Sequence, residues 1–217
     1  DIQKNVYRGT HTYGGPGIYP LTVEDPNRNE GVLNMTGSVD TPFAIQSLLI
    51  IDPQAGNNNS VQLLNPATEN ACLNQTWIHN PAAHDPDGDL LTYSLVPSRG
   101  FGGEFIPTYV YPDEVSSADD MFTIDGNTGD ITWNTTQIAG EYNVAIRIEE
   151  WRDVGGTLRK VGEVTRDLQV DVQLCANQPP KIVALSDTCV LAGEVITFNV
   201  FASDPDGDGV TMSAVGG

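Results

Sequence analysis

Residues 142–149 read YNVAIRIE, and their alternation of apolar and polar side chains is typical of a half-buried β-strand. Residues 161–172, which read VGEVTRDLQVDV, repeat this alternation after a Gly-Gly turn at 155–156, so the two runs predict a β-hairpin. A shorter strand at 131–133 follows the turn DGNTG at 125–129. Helical periodicity is nearly absent, and the 14 prolines and 22 glycines suit frequent turns. These features predict an all-β chain built of β-sandwiches.

An internal repeat divides the chain. Cys72 and the acidic loop DPDGD at 85–89 recur as Cys189 and a second DPDGD loop at 204–208, about 117 to 119 residues later. Because this period is the length of a domain, it predicts tandem sandwiches that are incomplete at both ends. Half a sandwich exposes its edges and core, so we expect the end segments to be completed by further chain or by a neighbouring molecule. The predicted segments are the last strands of one sandwich at 1–55, a whole sandwich at 56–175 and the first strands of the next at 176–217.

The charge of the chain limits its partners. The 29 acidic and 10 basic residues give a formal net charge of -19, which repels nucleic acid and anionic membranes. The 39% of hydrophobic residues can bury a core, so the acid excess indicates solubility or divalent counter-ions rather than disorder. No run of 18 apolar residues exists, so the sequence predicts no membrane span. Neither a methionine nor a signal-peptide pattern opens the chain, and we interpret it as a piece of a longer protein.

The three cysteines do not form a zinc motif. No CxxC pair occurs, and no histidine lies at metal spacing from a cysteine. Cys175 and Cys189 are 14 residues apart across a proline-rich joint, which predicts a disulfide between them in an oxidising compartment. Cys72 then remains for a partner elsewhere. Buried free thiols are the alternative interpretation.

The loop at 85–89 places three carboxylates at alternate positions of a turn that proline and glycine bend. Ca²⁺ takes several oxygen ligands in irregular geometry, so alternate side chains of such a loop can converge on one ion. An EF-hand is excluded, because its position 12 falls on Val96 in the first loop and Val215 in the second. A solvated polar turn is the alternative, since Asp, Pro and Gly all favour turns. The second copy of the loop favours calcium.

The middle segment resembles cadherin-like repeats. The matching runs are DPDGDLLTYSL at 85–95, FTID at 122–125 with TGDI at 128–131, and YNVAI at 142–146. The resemblance implies calcium sites at the joints, with ligands from an acidic loop, a late strand and an Asn-rich linker. The acidic motif that the family carries before the late strand is replaced here by QIAGE at 137–141, which implies fewer or more weakly bound ions. By this resemblance one site gathers the linker from Asn57 to Asn59 together with Asp85, Asp87 and Glu150, and a second gathers Asn177, Asp204 and Asp206, with Asp89 and Asp208 as further candidates.

A second resemblance concerns the whole chain. Residues 11–25 are similar to the end of a PKD-like domain. The runs YRGT at 7–10, EDPNRN at 24–29 and IEEWR at 148–152 are similar to large repeat proteins of gliding bacteria of the Bacteroidota type, which leave the cell by the type IX secretion route. This implies an extracellular or cell-surface location and a structural or adhesive role. The partners implied are neighbouring repeats, like chains, surface glycans or other cells.

No enzyme is expected. The sequence contains no G-x-S-x-G, H-E-x-x-H or P-loop pattern. Carboxylate pairs such as 119–120 and 149–150 are adjacent in the chain and therefore point to opposite faces of a strand. Neither pair can flank a single glycosidic bond.

Two other functions stay open. A filament subunit would complete its unfinished repeats with strands of a neighbour. A glycan-binding module would stack sugars on exposed aromatic rings, although packing in a core or strand is the favoured interpretation of the same residues. The candidates for glycan contact are Trp77, Tyr109, Tyr111 and Trp151.

Overall fold

The structure, a computed structural model, describes residues 6–186, 188–191 and 193–213. The first and last predicted segments extend beyond these ranges, and Val215 lies outside them. It is an all-β chain, as predicted. The helical residues in the described ranges are three 3-10 turns, at Ser38–Asp40, Phe101–Gly103 and Pro112–Glu114, and none of these could cross a membrane. The strands are β1 Gly17–Asp25, β2 Phe43–Ile51, β3 Gln62–Leu63, β4 Thr68–Cys72, β5 Trp77–His79, β6 Ala83–His84, β7 Leu90–Val96, β8 Phe122–Ile124, β9 Ile131–Trp133, β10 Gly140–Asp153, β11 Leu158–Gln173, β12 Lys181–Ile182 and β13 Ala202–Ser203.

The largest sheet is built around the hairpin of β10 and β11. These strands contain the two alternating runs, and the predicted Gly-Gly turn joins them, with φ angles of 64° at Gly155 and 84° at Gly156. The strand order is β1-β2-β11-β10-β7 with antiparallel neighbours, and β4 pairs in parallel with the end of β11. The predicted strand at 131–133 is β9, which lies between β5 and β8 in a three-stranded sheet.

One buried cluster joins side chains of these two sheets. Tyr142, Ile146 and Ile148 on one face of β10 are almost fully buried in it. The ring of Trp133 on β9 packs edge-on against Tyr142, with centroids 4.9 Å apart. The Trp133 indole N–H donates to the carboxylate of Asp120 at 2.8 Å, so the polar end of the largest buried side chain is satisfied. Apolar burial of this kind is the main stabilising term of the fold.

Both faces of the first half of β10 are covered, whereas the alternation predicts a half-buried strand. Asn143 and Ala145 point away from the cluster and are nevertheless buried. The chain between β1 and β2 lies over them. The Asn34 amide donates to the Asn143 carbonyl at 2.8 Å and accepts the Asn143 N–H at 2.9 Å. Arg28 forms a buried ion pair with Asp167 of β11 at 3.0 Å, so this second layer is polar.

The β1–β2 hairpin, predicted as the end of a separate sandwich, shares the sheet of the middle segment. Ser47 and Leu49 of β2 pair with Val164 and Gly162 of β11. Farther along β11 the same edge is taken by β4. The segments at 1–55 and 56–175 are therefore joined through backbone hydrogen bonds.

The internal repeat is also present in three dimensions. β3 pairs with β6 through Gln62 and His84, and β12 pairs with β13 through Lys181 and Ser203. Each residue of the second pair lies 119 positions after its counterpart in the first. The segment 176–213 therefore repeats the local structure of the start of the middle segment.

Candidate metal centre

The acidic loop between β6 and β7 forms a tight turn around Asp85. One oxygen of the Asp85 carboxylate accepts the backbone N–H groups of Asp87 at 2.9 Å and Asp89 at 3.0 Å. Gly88 takes the left-handed conformation that the turn requires, with φ of 78°. Oxygens of the three carboxylates lie within 4.8 Å of one another. The predicted convergence of the loop is thus present in the structure.

The linker before β3 is bound to this loop. Asn59 donates its backbone N–H to Asp87 at 2.7 Å and its side-chain amide to the other Asp87 oxygen at 2.8 Å. These hydrogen bonds, first of all the one from the backbone, hold the pKa of Asp87 below its usual value. In this arrangement Asn59 fixes the loop rather than offering an oxygen to a cation.

Glu150 of β10 lies at the bottom of the centre and is fully buried. One of its oxygens accepts the backbone N–H of Val61 at 3.1 Å, and the other accepts the side-chain amide of Asn58. Burial raises the pKa of Glu150, and the nearby charges of Asp85 and Asp89 raise it further. The β11 residue opposite Glu150 is Gly162, where any side chain would collide with the Glu150 carboxylate.

Arg152 supplies the only cationic side chain found against this cluster in the described part of the chain. Its guanidinium binds both oxygens of Asp89, at 2.7 and 2.5 Å, and one oxygen of Asp87 at 3.1 Å. It also donates to the linker, at 2.8 Å to the Asn57 carbonyl and at 3.0 Å to the Asn58 side chain. Arg152 therefore connects the loop to the linker on the outer side of the centre.

One carboxylate oxygen on the inner side has no partner. The second oxygen of Asp85 is buried and accepts no hydrogen bond, and the whole residue is only 6% exposed. A buried anionic oxygen without a hydrogen bond is unfavourable unless a cation or a donor reaches it. Asp85 and Glu150 are thus two buried carboxylates close enough to repel each other, while the guanidinium of Arg152 contacts neither.

The second loop has the same local geometry. One Asp204 oxygen accepts the N–H groups of Asp206 at 2.8 Å and Asp208 at 3.3 Å. The linker contact is made by the backbone N–H of Gln178, which donates to Asp206 at 2.5 Å. Asn177 does not take this position, because the counterpart of Asn59 at a separation of 119 residues is Gln178.

The structure brings together the predicted residues of the first site, including Asn58 of the linker, and adds two that the sequence did not single out. Asn57 contributes its backbone carbonyl, while Asp85, Asp87, Asp89 and Glu150 contribute carboxylates. The additional residues are Val61 and Arg152. A signal for Arg152 existed, since it is the one basic residue among the acids at the end of the late strand, in the run EEWRD at 149–153.

The predicted disulfide between Cys175 and Cys189 is wrong. The structure joins Cys72 to Cys175, with 5.3 Å between their Cα atoms, and leaves Cys189 exposed as a free thiol. The physical reason is the parallel pairing of β4 with the end of β11, which places Cys72 opposite Gln173. Two cysteines separated by 103 residues thereby become neighbours.

The predicted aromatic surface for glycans does not form as one platform. Trp77 is 5% exposed and stacks against Phe122 inside the core, so it cannot contact a sugar. Trp151 is half-buried on β10 and donates its indole N–H to Thr92 at 3.0 Å. Tyr109 and Tyr111 pack edge-on against each other, with ring centroids 5.6 Å apart.

Comparison with known proteins returns no match to a protein family, to a curated protein or to a solved structure.

Proposed function

We propose that the chain is a structural repeat module of an extracellular surface protein, built as tandem immunoglobulin/cadherin-like sandwiches and rigidified by calcium. The observation that carries the proposal is the meeting of linker, acidic loop and late strand at one centre. There, the buried Asp85 has an oxygen without a partner beside the buried Glu150. A cation between these two carboxylates removes their repulsion and restrains the linker.

The donor set favours calcium over softer metals. The atoms at the centre are carboxylate, amide and backbone carbonyl oxygens, and none of the predicted ligands is a cysteine or histidine. Ca²⁺ binds six to eight such oxygens in flexible geometry. Asp85, Glu150 and Asp89 would hold the ion, and the Asn58 side chain would turn its oxygen toward it. Four carboxylates here face a single guanidinium, so the centre keeps an excess of negative charge for the ion.

The mechanical role follows from which segments the centre ties together. The linker 56–59 joins the β1–β2 hairpin to the middle segment, and Arg152 and Asn59 already bind it to the acidic loop. An ion shared by loop and late strand stabilises the bound arrangement by an amount that grows with the logarithm of its free concentration once that exceeds Kd. Such a centre stiffens the connection that the shared sheet already makes between the hairpin and the middle segment, and a stiff connection is what a spacer or adhesive stalk requires.

The disulfide supports an extracellular location. Bonds such as Cys72–Cys175 persist in oxidising compartments and are rare in the cytosol. The net charge of -19 suits a soluble surface protein that meets divalent cations outside the cell.

Thermal unfolding of wild type and two Asp→Asn variants tests the proposal. Asp85→Asn keeps the oxygen that accepts the turn N–H groups but removes the buried charge. Asp125→Asn is the matched control, because Asp125 accepts the N–H groups of Asn127 and Thr128 at 2.7 and 3.0 Å in a similar turn. If free calcium reaches about 100 times Kd, the stabilisation is about 2.7 kcal/mol and the melting temperature rises by about 5–11 °C.

Wild type and Asp125→Asn should both show this rise over the sample in chelator, and Asp85→Asn should lose it. Equal melting temperatures of wild type with calcium and with chelator would refute the calcium centre. A rise that Asp85→Asn retains in full would place the ion elsewhere.

A further inference from the structure

Arg152 gathers the oxygen atoms of the centre around its own positive charge. Its guanidinium donates hydrogen bonds to six oxygens. Three are carboxylate oxygens, both of those of Asp89 and one of Asp87. The other three lie in or beside the linker, and they are the backbone carbonyls of Ala55 and Asn57 and the side chain of Asn58.

This set of oxygens is the kind that a calcium ion binds. Ca²⁺ takes about six to eight oxygens from carboxylates, amides, backbone carbonyls and water. Asp85 and Glu150 on the inner side offer two carboxylate oxygens each, so an ion bound to them alone would keep several waters. An ion that is ligated by the protein all round therefore needs atoms that the Arg152 guanidinium occupies.

The charges at Asp89 oppose the presence of both cations together. Its side chain is only 4% exposed, and the guanidinium binds both of its oxygens. A calcium ion on the same carboxylate would lie beside the guanidinium with little water between them, where two positive charges repel strongly.

The Arg152 side chain can leave the centre as a cation. The hydrogen bonds to Asp89 raise its pKa further above the usual arginine value, so it does not leave by losing its proton. The side chain is 19% exposed and borders solvent, which gives the guanidinium a way outward that does not cross the core.

We propose that calcium binds the centre in exchange for Arg152, so that the ion takes over the oxygens of loop and linker and the guanidinium withdraws to solvent. The inference rests on the proposed calcium centre and adds how that centre is regulated. In low calcium the arginine holds the linker against the acidic loop, and in high calcium the ion does. Calcium then binds only molecules whose guanidinium has withdrawn, so the competition lowers its apparent affinity.

Calorimetric titration of the 217-residue chain with calcium measures this competition. Arg152→Met removes the competing cation and keeps a long side chain. A withdrawn state populated at about 0.1–10% predicts that this variant binds calcium at least about tenfold more tightly than wild type. Arg159→Met is the matched control, because it removes the same charge from the facing position of β11, where the arginine pairs with Asp52. Its Kd should change by less than about threefold, since exposed charges are screened.

The arginine itself supplies a second readout that needs no substitution. In chelator, the Nε–H of Arg152 is bonded to Asp89 at 2.7 Å and should be protected from exchange with water in nuclear magnetic resonance spectra. Saturating calcium should abolish this protection. The Nε–H of Arg28, which is buried and bonded to the Pro42 carbonyl, should stay protected in both conditions. The signal of Arg152 is assigned by its absence in Arg152→Met.

Either of two results would overturn the exchange while the calcium centre stands. One is an Arg152 Nε–H that stays protected in saturating calcium, because the guanidinium then remains in place beside the ion. The other is an Arg152→Met variant that is folded by circular dichroism and binds calcium no more tightly than Arg159→Met.

Two further results separate the exchange from the proposed function. Calcium binding by neither wild type nor Arg152→Met would refute the calcium centre, and the exchange with it. Binding by Arg152→Met alone would support the competition and would refute a centre that calcium rigidifies in the wild type.

Discussion

Removal of the Cys72–Cys175 disulfide by a double substitution to alanine should destabilise the folded chain strongly. The bond closes a loop between residues that are 103 apart in sequence. Chain-entropy arguments give about 4.7 kcal/mol for a loop of this length, because the crosslink mainly restricts the unfolded state. For a chain of this size each kcal/mol lowers the melting temperature by about 2–4 °C, which gives a fall of roughly 9–19 °C.

The native contacts around the bond should survive the substitution. The parallel pairing of β4 and β11 holds the two positions together, and the Leu73 N–H donates to the Gln173 carbonyl at 2.7 Å. The double variant should therefore keep its circular dichroism spectrum at low temperature and differ in stability alone. The assay is calorimetric or urea unfolding under non-reducing conditions, with Cys189→Ser as the control that leaves the bond intact.

Two results would refute this reasoning. The first is a double variant that melts within a degree or two of Cys189→Ser. The second is peptide mapping of the oxidised protein that finds Cys189 in the crosslink. The first result would mean that closing the loop does not stabilise the folded chain, and the second that β4 does not lie beside the end of β11.

Three further changes test the charged groups, each by urea unfolding. In chelator, Arg152→Met should lower the free energy of unfolding by about 2–3 kcal/mol, because it removes the charged hydrogen bonds that join loop and linker. Calcium should restore part of this loss. An unchanged midpoint of urea unfolding would contradict the bridging role of Arg152. Arg28→Met should cost about 3–5 kcal/mol by leaving Asp167 buried without its ion pair, whereas Arg159→Met, at an exposed pair, should cost at most about 1 kcal/mol. Glu150→Gln should be more stable than wild type in chelator, by a margin that grows as pH rises above the ordinary carboxyl pKa of 4.5. The reason is that the raised pKa of Glu150 makes the folded state bind the proton more tightly than the unfolded state does, so wild type loses stability as this proton leaves. A margin independent of pH would contradict the raised pKa.

Local patterns in the sequence predicted local structure well. The alternation at 142–149 and 161–172 lies inside β10 and β11, and the Gly-Gly turn joins them. The two acidic loops form the expected turns, because Asp side chains bind backbone groups two and four residues ahead without help from the rest of the fold.

Features that depend on distant parts of the chain were not predictable in this way. The partner of Cys175 is set by the parallel pairing of β4, which carries no signal in cysteine spacing. The cover over Asn143 comes from an irregular segment without periodicity. Arg152 reaches the acidic loop past a break in the β10–β11 register between Glu150 and Trp151, and such a break changes the side to which the following residues point.

The position of the disulfide also decides how the module responds to a pulling force. A load applied through the linkers at 56–59 and 177–180 passes from Cys72 to Cys175 through the sulfur atoms and bypasses the chain between them. With about 3.3–3.6 Å per residue, the 103-residue loop contains roughly 350 Å of extensible length that the covalent shortcut keeps out of the load path. Under tension, only the short stretch before Cys72 can be drawn out while the bond is oxidised. Reduction releases the remaining length, so the same segment is nearly inextensible while the disulfide is oxidised and becomes long and compliant when it is reduced.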